Sequence, residues 1–239
     1  MTDASTQRVA LVTGGAVRLG RSITLGLARS GWDVAIHFGS SEREAGDTAR
    51  GVKELHRECE LIQADLRLPS AAERVCAAVK HRFGRLDLLV NSAASFRTGD
   101  LLEVDAEEWD EVMALNVRAP HLLVRACADL LRSSQGSVVN ITDLSAFQAW
   151  TEYPHHAVSK AALAHLTRVQ ARALAPDIRV NAIAPGAVLP PDDWDAERWE
   201  SLARRAALDR TGSPEDVVEA RSEEHTSELQ SRPHISYAV

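Results

Sequence analysis

A chain of 239 residues is long enough for one well-buried core and short for two, so a single domain is expected. Its hydrophobic share of 45% and charged share of 26% are those of an ordinary soluble globular protein and argue against a fibre, a membrane protein or a disordered chain. The formal charge of -7 lacks the Lys/Arg excess that a phosphate backbone attracts, so nucleic acid is not an expected partner.

The first eight residues are polar and carry no apolar run of a signal peptide. No apolar stretch reaches the ~18 residues of a spanning helix, so neither export nor membrane anchoring is expected. Cys59, Cys76 and Cys127 are odd in number and have no metal-ligand spacing. Reduced thiols, a cytoplasmic location and no metal site follow as expectations.

From Val9 to Thr13 a short β-branched apolar run reads as a strand, followed at once by Gly14-Gly15 and a helical pattern from near Leu19. The alternation continues with strand 33–38, helix 42–55, strand 60–63, helix 71–83 and strand 86–90. A long helix within 107–131, strand 137–141, a helix within 156–174 and strand 178–183 complete it. Regular βα alternation with continuously apolar strands predicts a doubly wound α/β fold, a parallel sheet covered by helices on both faces. Such sheets place their chemistry at the C-terminal ends of the strands. The residues to expect there include Asp143, after strand 137–141, and His156 and Lys160 on the following helix.

Thr13-Gly14-Gly15-Ala16-Val17-Arg18-Leu19-Gly20 occupies the first βα turn, where glycines allow a sharp turn and close approach of a pyrophosphate to a helix N-terminus. Strand 33–38 ends in His37-Phe38-Gly39-Ser40-Ser41, with no carboxylate to take a ribose 2′-hydroxyl. Arg18 offers a fixed positive charge and Ser40 and Ser41 offer hydroxyls, which together suit a 2′-phosphate and favour NADPH over NADH.

With a strand before it and a helix after it, this turn resembles the T-G-x-x-x-G-x-G turn of the short-chain dehydrogenase/reductase family. Arg18 stands at its middle glycine, and T-G-x-x-x-R-L-G is the form found in pteridine reductases and their bacterial relatives. The resemblance runs from Arg8 to Ala220 and implies a Rossmann-like reductase with Gly14, Arg18, Leu19, Gly20, Ser40 and Ser41 around NADPH. It implies an adenine contact at Asp65-Leu66, and Asn91-Ser92-Ala93-Ala94 matches the family's N-N-A-G turn beside the cofactor. Asn116 matches a mid-helix Asn that kinks its helix and anchors a water near the catalytic Lys. Pro185-Gly186 matches the turn that passes the nicotinamide, with Val188 near the carboxamide. Residues 189–199 occupy the family's substrate lid, and Ser213 is expected to cap a final helix.

In most of the family a Ser lies thirteen positions before a Tyr, and a Lys lies four after it; the spacing is intact here as Asp143, His156 and Lys160. Asp at the Ser position is the pteridine reductase pattern, and Phe96 matches the aromatic residue that sandwiches a pterin ring in those enzymes. The implied reaction is hydride transfer to a C=N bond of a dihydropterin, with proton delivery through Asp143, His156 and Lys160. A ketone reductase of the same family is the alternative. A histidine at position 156 opens two outcomes. Where Asp143 is the dominant neighbour it stabilises an imidazolium that can donate a proton; where Lys160 dominates, the ring is left neutral and a poor acid. A cofactor-binding protein with impaired catalysis is therefore a third reading, and Tyr153, just before the helix, is a substitute source of a phenol. A homotetramer is implied by resemblance alone.

After Ala220 the family pattern stops. Residues 221–239 show no apolar periodicity, predict no strand and resemble the translation of a sequencing adapter. They are expected to be foreign to a domain spanning 1–220, which would then lack its last helix and strand.

Overall fold

The computed structural model describes residues 7–190, 195–204, 210–223 and 235–238. Strands β1 (Val9–Thr13), β2 (Asp33–Phe38) and β3 (Cys59–Gln63) alternate with helices α1 (Arg18–Arg29), α2 (Glu42–Glu54) and α3 (Ala71–Phe83). Then come β4 (Leu88–Asn91), α4 (Ala106–Met113), α5 (Ala119–Ser133), β5 (Ser137–Ile141), α6 (Pro154–Leu174) and β6 (Arg179–Pro185). Helices α7 (Ala196–Ala203) and α8 (Pro214–Glu223) precede β7 (Ile235–Ala238).

The seven strands form one sheet in the order β3-β2-β1-β4-β5-β6-β7, and each neighbouring pair runs parallel. This is the doubly wound, single-domain α/β fold expected from the alternation. The chain reverses its direction of winding between β1 and β4, which opens a crevice at their C-terminal ends.

Strand period explains how one run feeds two cores. Leu11 of β1 enters the cluster shared with α3 and α5, whereas Ala10 and Val12 enter the cluster shared with α1 and α2. All five residues of β1 are buried, so the strand shows no polar face in sequence.

Three expectations need correction. The single helix within 107–131 is two helices joined by a π-helical turn, Ala114–Arg118, with Asn116 at its centre. The extra residue of a π-turn swings Asn116 inward, where its side chain takes up the backbone of Ser95. Helix α6 extends the stretch read as 156–174 back to Pro154, the start that the proline itself suggests, because its fixed φ suits a first helical position.

The third correction concerns the C-terminus. The final helix is present as α8 and is capped as expected, Ser213 Oγ accepting from the Asp216 amide at 3.3 Å. It docks on α1 closely enough that a Cβ on Gly26 would lie 2.5 Å from Val218 Cγ1. Residues 235–238 also supply an edge strand, paired from Ala182↔Ile235 to Pro185↔Ala238. Ile-Ser-Tyr-Ala is too short to show periodicity, yet its backbone satisfies the hydrogen-bonding groups along β6 that would otherwise be unpaired. Among the described residues, no helix is long and apolar enough to cross a membrane.

Candidate active site

The crevice is bounded on the β1 side by the glycine turn. Gly14 adopts φ +62°, and a Cβ there would stand 3.0 Å from Ala93 Cα, so the turn and the loop after β4 press backbone against backbone. A Cβ on Gly20 would lie 2.0 Å from Gly14 O, which fixes glycine at the first turn of α1. Thr13 Oγ1 ties the two loops together by accepting the amides of Ser92 and Ala93, each at 3.0 Å. Leu19 packs underneath against the α1 core.

Neither α1 nor α2 has a side-chain cap at its N-terminus, so amides of both helices remain available at the mouth of the crevice. Ser40 is exposed and Ser41 half-buried at the start of α2. Arg18 is exposed, holds φ +48°, and donates to Pro190 O at 2.7 Å, linking α1 to the lid segment. Close backbone approach, bare helix N-termini and nearby hydroxyls fit a dinucleotide phosphate.

Other predicted cofactor contacts have different occupations. The Asp65 carboxylate is gripped by the Arg67 guanidinium at 2.8 and 3.0 Å, and this bond holds its carboxyl below the usual range. Leu66 is buried in the core. Asn91 is 3% exposed and donates to Asn140 Oδ1 at 2.8 Å, so its side chain braces β4 against β5. Pro185 ends β6, Gly186 follows it, and Val188 packs against the α1 core. Asp193 and Trp194, within the predicted lid, lie outside the described residues.

Beyond β5 the chemical groups converge. Asp143 begins a single 3₁₀ turn and its Oδ1 accepts both the amide of Ser145, at 2.8 Å, and the Ser145 hydroxyl. Its Oδ2 meets His156 Nε2 at 2.7 Å, while His156 Nδ1 meets the carbonyl of Ser95 at 2.9 Å. A carbonyl only accepts, so Nδ1 carries hydrogen. Burial pushes the Asp143 carboxyl up, but the bond from His156 and the charge of Lys160 outweigh it and hold it below its ordinary value. With the carboxylate anionic, Nε2 faces an acceptor as well.

Of the two neighbours weighed from the sequence, Asp143 is the one in hydrogen-bond contact with the His156 ring. Lys160 Nζ instead donates to Ile141 O at 2.8 Å, two residues upstream of Asp143, and burial lowers its pKa against the opposing pull of the Asp143 charge. The more exposed member of the pair is the carboxylate: the Asp143 side chain is 19% exposed and that of His156 only 2%.

Asn116 supports the same assembly from the other side. It accepts from the Ser95 amide at 2.8 Å, donates to the Ser95 carbonyl at 3.1 Å and donates to Ser159 Oγ at 2.9 Å. Its side chain therefore holds the carbonyl that orients His156. Phe96 is half exposed, stacks on Tyr153 at 4.5 Å and meets the edge of His156 at 4.7 Å. His37, Ser95 and Ser145 were not anticipated as parts of the site, and Thr13 was read only as the opening residue of the glycine turn. Ser95 acts through its backbone, which leaves no side-chain signal, and Ser145 acts on a neighbour two residues away, a spacing that marks many ordinary turns.

Comparison with known proteins gives a consistent picture. The family model described as Enoyl-(Acyl carrier protein) reductase matches residues 15–222. The chain is 32% identical to 2-dehydro-3-deoxy-D-gluconate 5-dehydrogenase of Escherichia coli, over 88% of this chain and 85% of that protein. It is 31% identical to 3-oxoacyl-(acyl-carrier-protein) reductase of Staphylococcus aureus, over 87% of each. The crystal structure of acetoin dehydrogenase from Enterobacter cloacae superposes with a TM-score of 0.86 at 29% identity, covering 98% of this chain and 94% of that one.

Proposed function

Since this chain belongs to the short-chain dehydrogenase/reductase family of oxidoreductases, we propose that it reduces a C=N bond in a planar, N–H-bearing heterocycle of the dihydropterin class, with NADPH as reductant. The observation that carries this reading is the Asp143 carboxylate, anionic, partly exposed at the end of β5 and bonded to the buried His156. An anion there accepts from the ring N–H groups of such a heterocycle, and once it has taken the His156 proton it donates to the lone pair of the C=N nitrogen. The half-exposed ring of Phe96 beside the pair supplies an apolar wall for a flat substrate.

A reduced nicotinamide, when bound, would supply the hydride. The chain's own task is the proton. His156 Nε2–H hands its proton to Asp143 Oδ2 across 2.7 Å, and the carboxyl passes it to the substrate nitrogen it faces. Lys160 fixes the Ile141 carbonyl and its charge lowers the cost of the buried carboxylate. The preference for NADPH rests on the missing acid after β2, on Ser40 and Ser41 beside the uncapped start of α2, and on the charge of Arg18.

Ketone reduction is the second reading, favoured by the names of the relatives, and in it the same Asp143–His156 pair protonates an alkoxide. The test is steady-state oxidation of NADPH and NADH with dihydropterins and simple ketones side by side. Turnover of a dihydropterin at least ten times more efficient than that of any ketone supports the first reading, the reverse supports the second, and tight binding with no turnover supports a protein that only holds the cofactor. From its free thiols we also propose a cytoplasmic location, and by resemblance a homotetramer, which native mass spectrometry checks.

A further inference from the structure

His37 lies near the end of β2, beside the place where a ribose-reading carboxylate would stand, but its ring turns inward and is 3% exposed. Nδ1 lies 3.3 Å from the Gly14 amide and Nε2 lies 3.0 Å from the Ala64 carbonyl. The amide only donates and the carbonyl only accepts, so Nδ1 must be bare and Nε2 must carry hydrogen. Two backbone groups thus select one neutral tautomer. They belong to different loops: Gly14 to the turn over which a pyrophosphate would lie, Ala64 to the loop after β3 on the adenine side. Gly15 adds a third tie by donating its amide to the His37 carbonyl at 3.0 Å.

We propose that His37 is a positioning residue that joins the glycine turn to the loop after β3, so that the dinucleotide site is assembled only while this ring is neutral. The inference rests on the dinucleotide reading given above. A second proton on Nδ1 would set two donors against each other at Gly14, and the turn would have to move. Burial disfavours that proton, while the Ala64 carbonyl and the charge of Asp65 favour it. Asp65 faces the ring from the loop after β3 and is itself engaged by Arg67. From the glycine turn the ring meets backbone amide, without charge. Because the net effect lowers the pKa of His37, the site is intact at neutral pH and comes apart on the acid side, below the ordinary imidazole value of about 6.5.

Two substitutions divide the ring's functions. His37→Asn keeps an acceptor at the place of Nδ1 and removes the titration; His37→Gln keeps a donor at the place of Nε2 and abandons Gly14. Binding of NADP⁺, which tolerates acid, is measured by titration calorimetry from pH 7.5 to pH 5. At pH 7.5 His37→Gln is expected to bind about 10-fold to 100-fold more weakly than the wild type, the worth of one buried unsatisfied amide. His37→Asn is expected within about threefold, with a smaller loss toward pH 5 than the wild type shows. Titration of the ligand's own phosphate is common to all three proteins and cancels. Wild-type affinity in His37→Gln, or an undiminished acid loss in His37→Asn, overturns the inference. A folded wild type that binds neither NADP⁺ nor NAD⁺ overturns the dinucleotide reading and this inference with it. Amide exchange in the unliganded wild type needs no substitution. Gly14 protection, referred to that of Gly15, is expected to fall as pH is lowered, and a constant ratio refutes the coupling.

Discussion

Removing the carboxylate of Asp143 separates its electrostatic role from its steric one. In Asp143→Ala, His156 Nε2 and the Ser145 amide and hydroxyl all lose their acceptor. His156 is 2% exposed, so its ring cannot turn to water. Breaking a buried ion pair by deleting one partner costs about 3–5 kcal/mol, and the partial exposure of Asp143 puts this pair near the lower end, about 3 kcal/mol. For a domain of this size each kcal/mol moves Tm by about 2–4 °C, so a fall of about 6–12 °C is expected. Asp143→Asn is gentler. Its oxygen keeps the Ser145 bonds and its amide donates to a neutral Nε2, while His156 Nδ1–H stays on Ser95, at a cost of about 1 kcal/mol. What asparagine cannot do is carry a proton, so turnover should fall by about 10²–10⁴-fold with cofactor affinity unchanged. Thermal melts, cofactor titration and steady-state rates on both variants check this. Asparagine turning over at the wild-type rate, or alanine as stable as asparagine, refutes the reasoning. The pH dependence has a definite sign: the folded carboxyl titrates below its ordinary 3.8, so its contribution is complete above that value and is lost as pH falls through the lowered one. Asp143→Asn should abolish that acid-side loss in urea unfolding curves.

Asn116→Ala leaves the Ser95 amide and Ser159 hydroxyl without their buried partner and should cost about 2–4 kcal/mol in denaturant unfolding. It should also lower turnover more than it weakens cofactor binding, because Ser95 O then orients His156 less firmly. Gly20→Ala drives a Cβ to 2.0 Å from the Gly14 carbonyl, so the turn must open; calorimetry should show cofactor affinity down by at least about tenfold, with about 1–3 kcal/mol lost in stability.

Much of this architecture was legible because strand and helix periods speak directly in the sequence. Val9 to Val12, apolar at every position, announces a strand buried on both faces, and Gly14 and Gly20 announce the turn that follows. The spacing of Asp143, His156 and Lys160 gave the site its strand, loop and helix. Other features depend on contacts that sequence does not display. The resemblance marks Asn116 as the site of a kink, but a lone Asn in a helical pattern does not display that its side chain binds backbone twenty-one residues away. Asp65 and Asn91 occupy expected cofactor positions, yet their side chains are committed to Arg67 and Asn140. His37 looked like the absence of an acid and is instead a double acceptor–donor tie between loops. The edge strand 235–238 follows from an open sheet edge rather than from its own pattern.

Position 156 is where the functional readings part. The Ser95 carbonyl that holds His156 Nδ1 also accepts from Asn116, so a side chain without a second donor would leave nothing orphaned. A tyrosine at this position needs only to place its hydroxyl near Asp143, and its larger ring, pressed by the Phe96 contact at 4.7 Å, sets a packing cost of about 1–3 kcal/mol. His156→Tyr therefore should fold, and its turnover discriminates. If the imidazolium–carboxylate pair is the proton path, the exchange replaces a charged donor by a neutral one and the rate falls by at least about tenfold. If His156 is instead a lesion in a site built for a phenol, the rate rises above that of the wild type. A rise would sink the proton path through Asp143 and His156 while leaving the fold, the cofactor turn and the role of His37 untouched, since those rest on contacts on the far side of the crevice.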